Sequence, residues 1–455
     1  MKREKELAEL KKREQAFNRP ESKSYILVLF IVLIALMMID EFASNAPDSV
    51  KTATIQELFV EGKGMTFEEG TAAISILTTL TIPISILALL LNTLSDKIGR
   101  KPLLVLSAAG MALGMLLLYT STSITSYMIG RIVITFFIAQ DMHAMYVMEV
   151  APEDKRATYT TVSGAFGLIG IMLISVARSA NTHNEVLNWH GVFLVPAIVG
   201  MVSIVIFAVL ARETKPFLKS RIEYLRKTPE ERKAEKELAK VDKSARAGET
   251  GLIASFRYIF SHKPVLFTVL ATIPHSFAMV SCAALGEVVM TSNGMSTTAV
   301  NMALLVYPII GALLTASVGF VADKIGRKPS VLIYGSVVIV SLVMFVISAK
   351  NGWHPLVVGI FYGMELRGYW SLSGLVSLTF KESVPTNIRA TCCSANGLIS
   401  TVVMIVGSII CSTVLAVIGI TNTVIYWSIT MLALCIGLYM VFCKETKGVN
   451  LEEIK

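Results

Sequence analysis

Twelve apolar runs, each long enough to cross a bilayer, constrain this chain more than any other feature. They lie near residues 25–57, 70–94, 102–121, 123–149, 157–179 and 190–211, then near 264–290, 297–321, 329–349, 355–381, 390–418 and 424–443. A hydrocarbon core of about 30 Å needs roughly 20 residues of helix. Lipid offers no partner for backbone N–H and C=O groups, so each run is expected to be an α-helix that satisfies them internally. The short alternating segments of a membrane barrel are not what this sequence contains. Composition agrees: 16% of residues are charged, against roughly a quarter in a soluble domain.

The six-plus-six arrangement is reinforced by strings that occur twice. "LSDKIGRKPLL" begins at Leu94 and "VADKIGRKPSV" at Val321; "EVAPEDKRA" begins at Glu149 and "ESVPTNIRA" at Glu382; "RETK" begins at Arg212 and "KETK" at Lys444. Each pair is offset by about half the chain and sits at the same place in its half, as a duplicated bundle requires. The fold class expected is therefore an all-α membrane protein whose twelve transmembrane helices form two six-helix bundles related by internal repeat. Boundaries follow: an N-terminal segment (1–23), a first bundle (24–212), a linker with a helical segment (213–263), a second bundle (264–443) and a tail (444–455).

Charge sets the expected orientation. Of the 41 lysines and arginines, only Lys51, Lys63, Arg178 and Lys350 fall on or near one side, while Arg131 and Arg367 lie within spans. The rest collect on the other side, which the positive-inside rule makes cytoplasmic, with both termini and the linker. The net charge of +8 is thereby accounted for by lipid headgroups and topology, with no nucleic acid as partner. The charged start of the chain lacks the short apolar core of a removable signal, so the first run is expected to be a retained helix. All six cysteines lie in or beside apolar runs and are expected to be buried hydrophobes, neither disulfides nor a metal site. The Lys/Glu-rich middle of the linker is expected to be a solvated bracing helix. No phosphate loop, metal-spaced cluster or nucleophile elbow is present, which argues against an enzyme or an ATP-driven pump.

At the repeated strings the chain resembles the major facilitator superfamily of secondary transporters, over nearly its whole length. The D-K-x-G-R-K loops resemble that family's signature between helices 2 and 3 and between helices 8 and 9. The E-x-x-P-x-x-x-R strings and the closing "KETKGVNLEEI" are similar to its sugar-porter and organic-ion branch. The resemblance implies ion-pair latches at the cytoplasmic ends: Asp96, Gly99, Arg100, Glu149 and Arg156 in the first bundle, and Asp323, Gly326, Arg327, Glu382 and Arg389 in the second. It also implies that spans 1, 4, 7 and 10 line a central cavity, and that uptake is favoured over efflux, since span 5 lacks the Gly-Pro string of drug antiporters.

Ionisable residues within spans are costly, at least about 2.5–3.5 kcal/mol each on insertion scales, and here they concentrate in those four spans. Asp40 and Glu41 are adjacent acids mid-way along span 1, and helical spacing puts Asp40, Ser44, Asp48 and Lys51 on one stripe that should face water. Arg131 in span 4 is the expected counter-ion of the two acids, with Asp141 and His143 nearer the cytoplasm. Span 7 contributes His275, and span 10 contributes Glu365, Arg367, Tyr369 and Trp370. Glu365 and Arg367 are two apart and face different directions, so one is expected in the cavity and the other against a neighbouring helix.

An acid whose partner comes and goes with conformation suits a proton carrier, and we assign that part to Asp40, Glu41 and Arg131. A cavity holding both arginine and carboxylate groups suits a small carboxylate or zwitterion. The expectation is a monomeric proton symporter for a small polar organic ion in the plasma membrane. It would use no cofactor beyond the proton gradient, with sodium as the other ion such a site admits. A sugar or polyol symporter and a non-transporting membrane sensor are the alternative readings.

Overall fold

The structure is a computed structural model that describes residues 2–20, 22–84, 87, 98–138, 142–151, 156–228, 230–232, 234, 237, 251–385 and 388–448. In chain order, α1 (Lys2–Phe17) precedes the first bundle, which holds α2 (Lys23–Ser49), α3 (Lys51–Ile55), α4 (Phe67–Thr79), α5 (Arg100–Tyr119), α6 (Ile124–Ile138), α7 (Met142–Val150), α8 (Arg156–Ala180) and α9 (Gly191–Leu210). The linker carries α10 (Lys215–Arg226) and α11 (Leu252–Ser261). The second bundle holds α12 (Lys263–Phe277), α13 (Gly286–Ser292), α14 (Thr297–Ile325), α15 (Arg327–Lys350), α16 (Pro355–Glu382), α17 (Arg389–Ile418) and α18 (Ile420–Phe442). Among the described residues, eight of these are long and apolar enough to cross a membrane unaided. Of the remaining spans among the described residues, the fourth is in two pieces, α6 with α7, the seventh is α12 with α13, and the tenth is the single 28-residue helix α16. The later part of the second span lies outside the described residues, as does the Lys/Glu-rich middle of the linker. The architecture is twelve-helical, in two bundles.

The repeat is visible in the packing. In the first bundle α5 packs on α6 and α9, and α2 on α8; in the second α15 packs on α16 and α18, and α12 on α17. The bundles meet along α8 against α14 and α4 against α17.

The opening helix of each bundle is broken in the same way. Pro47 sits three residues before the break of α2 at Val50 (φ −117°, ψ 16°), and a π-helical segment follows at Gln56–Glu61. Pro274 stands in the last turn of α12, ahead of a π-helical segment at Val280–Ala284. Proline supplies no N–H and crowds the preceding turn, which frees backbone carbonyls where the chain must bend.

A two-residue β-hairpin, β1 (Thr182–His183) paired with β2 (Val186–Leu187), closes one end of the first bundle. Its turn, Asn184–Glu185, has both φ angles positive, at 50° and 62°, as a hairpin connection of this length requires. We call this the hairpin end and the opposite one the latch end.

Candidate functional site

At the latch end the two halves build the same network. Arg100 Nε donates to Glu149 Oε1 at 3.0 Å, and Glu149 Oε2 accepts from Thr214 Oγ1 at 2.5 Å. Glu213 Oε1 accepts from the backbone N–H groups of Arg100 at 2.9 Å and Lys101 at 3.2 Å. In the second half Arg327 forks onto Glu382 at 3.1 and 2.8 Å and reaches Asp323 at 3.1 Å. Thr446 Oγ1 donates to Glu382 at 2.5 Å, and Glu445 accepts from the N–H groups of Arg327 and Lys328, both at 2.8 Å.

Each network begins at a glycine with positive φ, Gly99 at 110° and Gly326 at 104°. A Cβ on either would collide with the capping carboxylate of Glu213 or Glu445, so glycine is required twice over. Partial burial works against ionisation of Glu445, but the N–H donors of Arg327, Lys328, Lys447 and Thr446 outweigh it and hold the carboxyl below its usual range. Arg389 Nε donates to the Val384 carbonyl at 3.2 Å. Asp96, Asp141 and the Arg156 side chain lie outside the described residues. Glu213, Thr214, Glu445 and Thr446 complete the networks without having been singled out from sequence; their signal was the repeated "RETK"/"KETK" string.

The central wall departs from the sequence expectation at several points. Asp40 is buried, and its Oδ2 stands 3.9 Å from His143 Nδ1. Arg131 lies 3.8 Å from Asp48, about two turns along from Asp40, so its ion-pair partner is Asp48 and not Asp40 or Glu41. Ser44 Oγ donates to the Asp40 carbonyl at 2.8 Å. The Glu41 carboxylate accepts from Asn45 Nδ2 at 3.3 Å, and its stem lies against Gly167 of α8. Lys51 does not face water: the break at Val50 turns it inward, where it is 0% exposed. It pairs with Asp48 at 2.8 Å and donates to the Ala284 carbonyl at 2.6 Å.

His275 and Tyr369, expected in the cavity, form a buried clasp between α12 and α16 instead. Their rings stack at 4.1 Å, His275 Nε2 bonds the Tyr369 carbonyl at 3.1 Å, and Tyr369 Oη donates to the His275 carbonyl at 3.1 Å. Trp370 lies edge-on to Tyr369 and is about half exposed.

Glu365 and Arg367 do separate, as their spacing requires. Glu365 is 1% exposed, beside the Cys282 thiol, and its Oε1 has no hydrogen-bond partner among the described residues. Arg367 is partly exposed and lies across Gly311 of α14. The Nε atoms of Arg131 and Arg367 are both buried and unpartnered among the described residues. One arginine comes from each bundle.

The hairpin end is locked across the bundles. Arg178 of α8 pairs with Glu287 of α13 at 3.3 Å, donates through Nε to Asn301 Oδ1 of α14 at 2.6 Å, and bonds the Ser49 carbonyl. Thr52 donates to Glu287 from its N–H at 2.9 Å and its hydroxyl at 2.7 Å, and Ser175 bonds the Asn301 carbonyl. Arg178, Glu287, Asn301 and Lys51 are all buried. Outside them, Glu185 of the hairpin accepts from the Thr298 N–H at 2.9 Å and hydroxyl at 2.7 Å. These bonds hold its carboxyl below the usual glutamate value. Sequence marked Arg178 only as a charge on the far side; nothing in its spacing tied it to Glu287.

The sequence model of the Major Facilitator Superfamily matches residues 24–410. The glucose transporter GlcP of Staphylococcus epidermidis is 24% identical over 395 residues, 80% of this chain and 83% of that protein. A probable metabolite transport protein of Bacillus subtilis, CsbC, is 24% identical over 410 residues, 83% of this chain and 86% of that one. Among solved structures, a D-xylose-proton symporter superposes with a TM-score of 0.65 at 16% identity, covering 93% of this chain and all of that one.

Proposed function

The chain belongs to the Major Facilitator Superfamily, and from that premise we propose that it is a proton-coupled symporter of a small organic anion or zwitterion. The observation that carries the substrate class is the pair of arginines, Arg131 and Arg367, one on each bundle, each with a buried Nε left without a partner among the described residues. Arg131 meets Asp48 only at 3.8 Å, beyond hydrogen-bond range, because Asp48 already holds Lys51. Two guanidinium forks with open donor sites, one on each bundle, suit a carboxylate better than a neutral hydroxyl ring.

Alternating access follows from the two ends. With the latch end cytoplasmic, as the charge count favours, the lock of Arg178, Glu287, Lys51 and Asn301 holds the outside shut in this state. Opening outward needs that lock to hydrate and part. Asp40, with His143 at 3.9 Å, is the proton site in this reading: a buried carboxylate near an imidazole changes its proton affinity when that neighbour moves or titrates. Asp48, Lys51 and Arg131 connect the substrate's charge to the lock.

The relatives' names favour one other reading, a sugar porter, because GlcP is a glucose transporter and the superposed symporter carries D-xylose. A thermal-shift screen of the purified protein over carboxylates, amino acids and sugars, at two pH values, separates the two. Stabilisation by carboxylates or zwitterions that varies with pH supports the proposal. Stabilisation by neutral hexoses or pentoses alone overturns it in favour of the sugar reading.

A further inference from the structure

The two linker helices among the described residues, α10 and α11, are built differently. The apolar face of α10 is covered: Phe217, Leu218, Ile222 and Leu225 are buried, with α1 packed alongside and ion pairs from Glu9 to Arg221 at 3.3 Å and Glu14 to Arg226 at 2.7 Å. In contrast, α11 is apolar on two faces. Ser255 and Ile259 are buried, with Ile259 packed on Val265, Val269, Phe380, Val384, Cys392 and Ala395 at the latch end of the second bundle. The opposite face carries Ile253, 80% exposed, and Phe260, 60% exposed, with Leu252 beside them. Arg257 stands exposed between Ile253 and Phe260 on the same stripe, by i, i+4 and i+3 spacing.

Three facts identify what covers that face. First, α11 is followed after a single residue by α12, a span, so its C-terminal end sits at the depth where the chain enters the bilayer. Second, its partner α17 is itself a span, with Val402 and Val406 exposed farther along it, so α11 packs on a helix that also presents an apolar surface suited to lipid. Third, from Gly251 to Thr272 the chain has Arg257, His262 and Lys263 and no acidic residue. Apolar side chains flanked by basic ones on a helix parallel to the boundary fit anionic headgroups over an acyl layer.

We propose that α11 lies in the bilayer interface at the latch end, with Leu252, Ile253 and Phe260 in the acyl boundary and Arg257 and Lys263 on anionic lipid phosphates. The strap ties the linker to the membrane immediately before the second bundle begins, independently of which substrate the protein carries.

Spin labels test it. In a parent whose Cys393, the one cysteine of the six not buried, is replaced by serine, labels are placed at Ile253→Cys and Phe260→Cys, and at Val205→Cys (a span surface) and Lys219→Cys (the exposed side of α10) as references. In nanodiscs, labels 253 and 260 should prefer oxygen over a water-soluble nickel chelate, as 205 does and 219 does not. Replacing part of the phosphatidylcholine with phosphatidylglycerol should raise that preference, and Arg257→Ser should remove the rise. Preference for nickel at 253 and 260 overturns the proposal in favour of a solvated linker; exclusion of both reagents overturns it in favour of a protein partner. The unlabelled protein gives a separate reading: amide exchange over 252–261 should slow when phosphatidylglycerol is added, and equal exchange in both lipids contradicts the anionic-lipid contact.

Discussion

At Asp48 two cations share one carboxylate, with Lys51 at 2.8 Å and Arg131 at 3.8 Å. Unit charges 4 Å apart near a protein surface interact by about 4 kcal/mol, so removing one cation shifts the carboxylate toward the other. We expect Arg131→Ala to weaken binding of a carboxylate substrate by roughly 2–5 kcal/mol, the usual cost of truncating one side of a buried charged pair, and Arg131→Lys to restore only part of it because the fork is lost. Isothermal calorimetry reads both. Asp40→Asn should leave counterflow exchange intact while abolishing accumulation against a gradient; accumulation like the parent's would move the proton site to Glu365. Helical spacing puts Asp40 and Asp48 on one stripe of span 1, with Arg131 expected as the counter-ion of Asp40 and Glu41. Their pairing was not legible because spacing gives direction around an axis and not depth between two helices, and because the break at Val50 re-aims Lys51 in a way a continuous helix would not.

At the scale of elements, the latches divide into buried and exposed parts. Glu382 has 15% of its side chain exposed, whereas Asp323 has 77%, and exposed pairs contribute about 0–1 kcal/mol. Glu382→Gln is therefore expected to change the rate of conformational exchange, read by single-molecule fluorescence, far more than Asp323→Asn. The repeated strings marked Asp323 and Glu382 equally, because a string reports residue types and not how far each is withdrawn from water. The hairpin staple adds a pH dependence. Since the Glu185 carboxyl is held below the ordinary 4.5 by Thr298, its contribution is complete above that value and is lost as pH falls through the lower, folded value. The protection of amides 298–300, taken against the intrinsic exchange rate at each pH, should fall only in that acid range, and Glu185→Gln should leave that protection insensitive to acid.

For the whole molecule, twelve spans in two bundles were legible because run length and repeated strings are both local signals with a global meaning. Which end is closed was not, since the lock joins Ser49, Lys51 and Thr52 to Ala284, Glu287 and Asn301 across about half of the chain's length. Glu287→Gln leaves the buried Arg178 without its carboxylate, a cost of about 3–5 kcal/mol in this state. The lock should then open more often, by two orders of magnitude or more at about 1.4 kcal/mol per tenfold, as distance measurements between labels at the hairpin end would read. The most direct test of the central claim is uptake into proteoliposomes under an imposed pH gradient, acid outside. The account predicts that a small carboxylate or zwitterion accumulates, and that a protonophore collapses the accumulation. Accumulation of a neutral sugar with no carboxylate uptake, or carboxylate uptake indifferent to the protonophore, would contradict it.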